Sequence, residues 1–303
     1  MGLRQSPVRD SLADGPADAS RMRLSTVLLV VTAVLAFAGN SLIARTAIGQ
    51  DLIAPGPFSV IRLLAGALVL LPLLRRKPRP EDIPGALALL AYVIGFSFAY
   101  RELSAATGAL ILFAAVQFTI IAAGLMRGER LGGRGFAGLT LAGGGIVWLL
   151  LPNAATPAAL PTFMMAAAGM AWGAYTIIGR QGGDAMGQTA RSFVIAALLS
   201  VPFGAIDPDM STGRGIALAA FAGVVTSAFG YVLWYKVSPR LSLGVVSSSQ
   251  LATPIVAALA ATILLDEPVS WRLALAGAAV LGGIALTISP VRQKPEPRTG
   301  SSL

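Results

Sequence analysis

The residue types that carry most enzyme chemistry are missing from this sequence. None of its 303 residues is His or Cys. The chain therefore has no imidazole or thiol for nucleophilic catalysis, for metal binding or for a histidine proton relay, and it has no disulfides. From the sequence we expect no enzyme activity, no cofactor and no metal site.

The chemistry that remains is recognition by polar and aromatic side chains that lie within long apolar segments. Such polar groups need partners, because leaving them uncompensated in hydrocarbon is costly. Tyr92 and Phe96 are four residues apart and Trp172 and Tyr175 three apart, so each pair shares one face of a helix. Amides, hydroxyls and rings together suit zwitterions with apolar side chains. We predict these substrate-binding residues: Asn40, Tyr92, Phe96, Gln117, Trp172, Tyr175, Tyr231, Ser248 and Thr253.

Two arginines stand a few residues inside apolar segments, Arg62 near the outer face and Arg191 near the cytoplasmic face. Arg62 could snorkel, cap loop carbonyls or attract a substrate carboxylate at an outer gate. The repeat symmetry favours a shared structural role for the two arginines, and the sharper hypothesis, which we keep as a prediction, is gating by both. Trp234 and Tyr235 precede Lys236, which is typical of an aromatic belt at a membrane edge.

The composition indicates an integral membrane protein. Hydrophobic residues make up 55% and charged residues 12% of the chain, and the mean hydropathy is +0.74, whereas soluble domains carry about 25% charged residues. Crossing a bilayer takes about 20 apolar residues. We predict an all-α protein with ten transmembrane helices over 24–44, 57–74, 84–101, 104–126, 132–151, 157–179, 187–205, 214–236, 241–265 and 271–289.

The basic residues predict how these helices are oriented. Cytoplasmic loops are enriched in Lys and Arg. With the N-terminus inside, 18 of the 23 basic residues lie on the cytoplasmic side, four lie outside, and Arg62 lies within a helix. The net charge of +9 is then a topology signal, and we expect no nucleic-acid partner. The sequence predicts a multi-pass membrane protein with both termini in the cytoplasm.

The two halves of the chain resemble each other. A shift of 138 residues aligns Ser104 with Ser242, Glu129 with Glu267, and Gly144-Gly145-Ile146 with Gly282-Gly283-Ile284. Each half holds five predicted helices, an odd number, so the two copies point in opposite directions. We predict disordered tails at 1–22 and 290–303 and inverted repeats at 23–155 and 156–289, which surround a central cavity. Inverted repeats of this kind are typical of secondary transporters.

Several of these residues also match a known family. They are Trp172-Gly173 with Tyr175, the two span arginines, and the run Leu241-Ser242 … Thr253-Pro254 … Leu265-Asp266-Glu267-Pro268 leading into Gly282-Gly283. On them the chain resembles the EamA-type exporters of the drug/metabolite transporter superfamily over about residues 24–289, and most closely the amino-acid exporters of the YddG type. The first half departs from the pattern, with Gln117 in place of a common Pro and Phe37-Ala38-Gly39 in place of a common Trp-Gly.

The resemblance implies a ten-helix basket that exports small metabolites, and amino acids with aromatic or other apolar side chains lead among the expected substrates. All 14 acidic residues fall in tails, loops or helix ends, which leaves no carboxylate relay for protons. We therefore predict a facilitator driven by the substrate gradient, or else coupling through a group that the sequence does not identify. The resemblance implies that it works by alternating access, as a monomer in the lipid bilayer of the bacterial inner membrane. The alternative is a multidrug or broad metabolite exporter of the same superfamily.

Overall fold

The structure, a computed structural model, describes residues 24–128, 131–151, 156–181, 184–207, 210–237 and 243–287. This part of the chain forms ten long helices, one in each predicted segment, and the all-α prediction is confirmed. They are α1 Leu24–Gly49, α2 Pro55–Leu70, α3 Ile83–Ala99, α4 Ala105–Met126, α5 Gly133–Leu150, α6 Ala159–Gln181, α7 Ala185–Ser200, α8 Gly213–Val237, α9 Leu243–Leu264 and α10 Trp271–Thr287.

Local sequence fixes where several helices begin. The side chains of Ser104, Asp184 and Thr212 each accept a hydrogen bond from the backbone N–H three residues later, which caps α4, α7 and α8. Pro55 opens α2, where a missing N–H costs nothing. Short polar connections can therefore separate long apolar helices without frayed ends.

The middle of α8 departs from α-helical geometry. Residues Ala222–Phe229 form a π-helical segment between two α-helical ones. Such segments are rare and occur frequently at functional sites. Here the wider turns present Thr226 and Ser227 to α1 and α2, and both side chains are buried.

The helices have the length and the surface of membrane spans. Seven of them, α1 to α6 and α8, are long and apolar enough to cross a bilayer, and the described parts of α9 and α10 are shorter apolar helices. Large apolar side chains face outward on many helices, among them Leu68, Phe136, Phe163, Leu198 and Ile263. An apolar exterior of this kind fits a lipid environment, so the chain is a multi-pass membrane protein.

The packing confirms the two-repeat architecture. Helix α3 packs on α6 as α8 packs on α1, α4 packs on α6 as α9 packs on α1, and α5 pairs with α10. At that pairing, a Cβ on Gly138 would overlap the carbonyl of Gly283, and a Cβ on Gly145 would lie 3.0 Å from the carbonyl oxygen of Ala276. The shift of 138 residues converts one of these contacts into the other, so it is a symmetry of the fold.

Some sequence predictions fall outside this description. The tails at 1–22 and 290–303 lie outside the described residues, and so does the side chain of Ser248. The proposed repeat boundaries at 23–155 and 156–289 stay predictions.

Candidate functional site

A cluster of aromatic rings fills the centre of the bundle, where the two repeats meet. Trp172 of α6 lies at its middle, with ring centroids 4.7 Å from Tyr231 of α8, 5.0 Å from Tyr92 of α3 and 6.1 Å from Phe37 of α1. Phe96, one helical turn from Tyr92, extends the cluster at 5.4 Å. All five rings are buried, so helices of both repeats contribute to one apolar and polarisable surface.

The predicted central cavity lies among these rings and is nearly closed. The cavity volume that is open to water is about 10 Å³, which is roughly the volume needed to hold one water molecule. A larger molecule can enter only if rings move apart. Its walls are formed by Phe37, Asn40, Ser41, Tyr92, Phe96, Leu112, Phe113, Trp172, Thr226 and Tyr231.

A short hydrogen-bond chain crosses the wall of the cavity between the repeats. The Thr226 hydroxyl of α8 shares its one proton between the Ala222 carbonyl at 2.9 Å and Oδ1 of Asn40 at 3.3 Å, and Nδ2 of Asn40 donates to the Tyr92 hydroxyl at 3.0 Å. A further hydroxyl, that of Tyr231, is buried and has no hydrogen-bond partner among the described residues. The cavity therefore combines aromatic faces with polar groups that a ligand can engage.

Arg62 lies directly behind this wall and is 1% exposed. Its Nε donates to Ser227 Oγ at 2.9 Å and its Nη2 to the Tyr92 hydroxyl at 3.3 Å. The guanidinium carbon also stands 5.3 Å from the Tyr92 ring centroid and 5.1 Å from that of Phe96. The side chain thus extends toward the centre of the bundle; it neither snorkels to the surface nor caps a loop carbonyl in the described structure. Its gating role stays a prediction.

Arg191, at the corresponding position of the second repeat, points toward one end of the bundle. Its Nε donates to Asp82 at 2.8 Å and its Nη1 to Asp184 at 3.3 Å. Arg76 also binds Asp82, at 2.8 Å. We call Arg76, Asp82, Asp184 and Arg191 the Asp82 cluster; it joins α3 of one repeat to α7 of the other.

Charge pairing keeps this cluster ionised. Burial raises the pKa of Asp184, but the Gly187 N–H and Arg191 outweigh it and hold that pKa below its usual value of 3.8. The stabilisation from this carboxylate is therefore present above its unfolded pKa and is lost only as the pH falls through the lower folded value. Across the neutral range, Asp184 therefore keeps its charge.

The opposite end of the bundle is tied by a different carboxylate. Arg45 of α1 donates through Nε to Glu267 Oε1 at 2.7 Å, and the Ala105 N–H at the start of α4 donates to Glu267 Oε2 at 2.8 Å. We call Arg45, Glu267 and the Ala105 N–H the Glu267 clamp. Beside it, the Thr212 N–H donates to the Leu52 carbonyl at 2.8 Å. Both ends of the cavity are thus closed by contacts between the repeats.

The predicted binding residues fall into two groups. Asn40, Tyr92, Phe96, Trp172 and Tyr231 line the cavity together, and Tyr175 stacks on Trp172 at 5.4 Å. Gln117 and Thr253 are buried but do not line it. Gln117 stands one turn beyond Phe113, the last residue of α4 in the wall. Substrate binding by all of them stays a prediction.

Several residues of the wall escaped the sequence reasoning. Phe37 is three residues before Asn40 and shares its helix face, a spacing that points to it. Ser41 and Thr226 of the wall carry no such signal, nor does Ser227, which binds Arg62 behind the wall. The aromatic-belt prediction for Trp234 and Tyr235 is wrong: they are 3% and 7% exposed, and Trp234 packs 5.8 Å from Phe37.

Comparison with known proteins gives a consistent result. The model of the EamA-like transporter family matches residues 24–151 and again residues 160–289. An uncharacterised protein of Pseudomonas aeruginosa is 46% identical over 275 residues, which cover 88% of this chain and 95% of the relative. A protein of Streptantibioticus cattleyicolor named "Probable terminal-alkyne amino-acid exporter" is 27% identical over 280 residues, 86% of this chain and 91% of that one.

A solved crystal structure shares the fold. It superposes with a TM-score of 0.62 at 21% sequence identity and covers 88% of this chain and 98% of its own. This likeness concerns the fold alone.

Proposed function

The chain belongs to the EamA-like transporter family, and we propose that it is a secondary transporter that exports small metabolites, foremost amino acids with aromatic or other apolar side chains, by alternating access. The observation that supports this substrate class most is the central cavity itself. Its rings come from helices of both repeats and its walls carry amide and hydroxyl groups. The midplane contact between inverted repeats is where secondary transporters bind their substrates.

The chemistry of the cavity fits this class. Trp172, Tyr231 and Phe37 offer faces on which an apolar side chain packs, while Asn40 and the Tyr231 hydroxyl offer hydrogen bonds to polar ends. The Streptantibioticus relative is named for amino-acid export, which favours the same choice. Since the family consists of transporters, we propose transport in place of catalysis.

We assign the faces from the distribution of basic residues. Both termini and the Asp82 cluster lie at the cytoplasmic face of the bacterial inner membrane, and the Glu267 clamp lies at the outer face. Helices of both repeats of one chain line the central cavity, so one chain in the bilayer is a sufficient transport unit.

The proposed transporter is a facilitator driven by the substrate gradient. Among the described residues, carboxylates lie at helix ends and in connections, as in the Asp82 cluster and the Glu267 clamp, and none lines the cavity. Proton-coupled pumps use carboxylates within the membrane to bind and release protons.

Counterflow in proteoliposomes tests the proposal. Vesicles preloaded with unlabelled phenylalanine or leucine, at equal pH on both sides and zero membrane potential, should accumulate the labelled amino acid. Trp172→Ala should lower the initial rate about tenfold, because it removes the ring that contacts Tyr92 and Tyr231. Trp271→Ala is the matched control, since Trp271 is 67% exposed and lies outside the cavity.

Two results would contradict the proposal. If a folded protein shows no counterflow with a broad panel of amino acids, but lipophilic cations are transported, the multidrug alternative holds. If an imposed pH gradient is strictly required, the facilitator mechanism is wrong.

A further inference from the structure

A buried arginine without a carboxylate is the feature of this molecule that most requires an explanation. Arg62 is 1% exposed and lies among helices α2, α3 and α8 in the interior of the bundle. A guanidinium stays protonated in proteins, and a buried charge is costly unless an opposite charge offsets it. None of the ion pairs in the described part of the chain includes Arg62.

The partners that Arg62 has are incomplete. Ser227 and Tyr92 take up Nε and Nη2, and the rings of Tyr92 and Phe96 face the guanidinium. Its Nη1 is buried and has no hydrogen-bond partner among the described residues. Hydroxyls and ring faces ease the burial of a cation, but they do not neutralise it.

At the corresponding position of the second repeat, the protein itself supplies carboxylates that neutralise the arginine. Arg191 is 5% exposed and pairs with Asp82 and Asp184. The two arginines differ in direction as well, because Arg191 points to the end of the bundle and Arg62 points to the cavity wall. An unpaired positive charge is therefore not a general property of this position in the repeat.

The neighbours of Arg62 connect it to the cavity. Tyr92 and Phe96 line the cavity on one side and contact the guanidinium on the other. The Tyr92 hydroxyl accepts from both Asn40 and Arg62, so its own O–H can donate to a further acceptor. On the far side of the cavity, the Tyr231 hydroxyl is buried without a hydrogen-bond partner among the described residues.

We propose that Arg62 binds the carboxylate of the transported substrate, which makes the substrate class monocarboxylates with an apolar or aromatic body. The inference rests on the proposed function, a transporter whose substrate occupies the central cavity. When the rings part to admit the substrate, its carboxylate accepts hydrogen bonds from Nη1 of Arg62 and from the Tyr92 hydroxyl. The apolar body then packs against Trp172 and Phe37.

This arrangement carries a specific consequence for the amino group. No described carboxylate lines the cavity, so an ammonium meets only ring faces and neutral oxygens there. Arg62 supplies the one charge that discriminates between substrates in the described wall and its immediate surroundings. The carboxylate is therefore required and the ammonium is dispensable.

Four ligands with one phenyl group separate these contributions. L-Phenylalanine has both charged groups, 3-phenylpropionate only the carboxylate, L-phenylalaninamide only the ammonium, and 3-phenylpropanamide neither. Binding to the purified full chain in detergent is measured by the ligand-dependent shift in thermal unfolding and by tryptophan fluorescence. We expect both carboxylates to bind with a Kd at least about tenfold lower than their amides, as a charge-assisted hydrogen bond predicts.

Variants at Arg62 locate the effect. Arg62→Gln should remove the preference for carboxylate over amide, and Arg62→Lys should retain part of it, since it keeps the charge but loses the planar fork. Arg101→Gln, which removes a guanidinium that is 45% exposed and lies outside the cavity, should keep the full preference. If Arg62→Gln fails to fold, Arg62→Lys and the four ligands on the unmodified protein still decide the matter.

The outcomes separate this inference from the proposed function. Equal binding of acids and amides, or an unchanged preference in folded Arg62→Gln, overturns the role of Arg62, even where the unmodified protein shows counterflow of phenylalanine. Tighter binding of phenylalaninamide than of 3-phenylpropionate overturns the substrate class. Absence of both binding and counterflow for all four ligands overturns the inference together with the amino-acid proposal.

Discussion

At the scale of single residues, two carboxylates of the Asp82 cluster bind the same arginine, Arg191, but they differ greatly in their exposure to solvent. The Asp82 side chain is 3% exposed, and it binds Arg191 and Arg76 as well as the Arg79 N–H. The Asp184 side chain is 37% exposed and binds Arg191 at 3.3 Å. Because solvent screens an exposed pair and cannot reach a buried one, the two carboxylates should differ greatly in their contribution to stability.

Asp82→Asn should therefore lower the free energy of unfolding by about 3 kcal/mol, since it leaves the buried Arg191 without its main counter-charge. Asp184→Asn should lower it by less than about 1 kcal/mol. Thermal or denaturant unfolding in the same detergent, at neutral pH, measures both variants side by side. Equal losses in the two variants would show that burial does not decide the strength of these pairs.

At the scale of helices, the crossing of α5 and α10 depends on the absence of side-chain atoms. A methyl group on Gly283 would meet the backbone of Gly138 and Ala142, whereas one on its neighbour Gly282 would meet no atom within 4 Å beyond its own helix backbone. Small residues at such crossings let membrane helices approach closely, and van der Waals contact is a main source of their association.

This neighbouring pair of glycines gives a matched test. Gly283→Ala should destabilise the folded protein by about 1–3 kcal/mol, because the new methyl group overlaps backbone that cannot move away. Gly282→Ala should cause no loss of stability, because its methyl group meets no neighbouring atom and alanine is the better helix former. Folded yield and thermal unfolding of the two variants in detergent provide the measurement. A loss in Gly282→Ala as large as in Gly283→Ala would mean that helix backbone effects, and not the crossing, set the cost.

The helices and the internal repeat could be predicted from the sequence, because long apolar runs and the shift of 138 residues are one-dimensional signals. Which helices pack on one another was not predicted. The rotation of each helix about its axis could not. A helix that faces lipid on one side and protein on the other is apolar all round, so periodicity does not tell the two sides apart. Trp234 illustrates this: its neighbour Lys236 indicated the membrane edge, but its ring faces Phe37.

The direction in which a long side chain points could not be predicted from the sequence either. The sequence places Arg62 correctly in the first half of α2, but whether its guanidinium points to the surface or inward depends on α3 and α8. The two carboxylates that bind Arg191 belong to Asp82, which is 109 residues away in the chain, and to Asp184, which is seven residues away. Contacts of that kind arise only from the packed fold.

At the scale of the whole molecule, the structure is closed at both ends, and transport requires the two ends to open in turn. The Glu267 clamp joins α1 to the connection before α10, and the Asp82 cluster joins α3 to α7. Each tie links one repeat to the other, so the halves cannot rock without breaking one of them. Weakening one tie should therefore shift the population toward the state that is open at that end.

Because the chain has no Cys, a single introduced thiol reports on this shift. Ser41→Cys places it in the cavity wall, where a membrane-impermeant maleimide reaches it only in an open state. Adding Glu267→Gln removes the charge that holds Arg45. The rate of labelling from the outer face should then rise roughly fivefold, as the loss of a partly exposed ion pair worth about 1 kcal/mol predicts.

Glu102→Gln is the control. It replaces an exposed carboxylate at the same end of the bundle and should leave the rate of labelling unchanged. Faster labelling from the cytoplasmic face in Glu267→Gln would instead place the clamp at the other face, and an equal rise from both faces would mean that the tie holds the fold together without gating it.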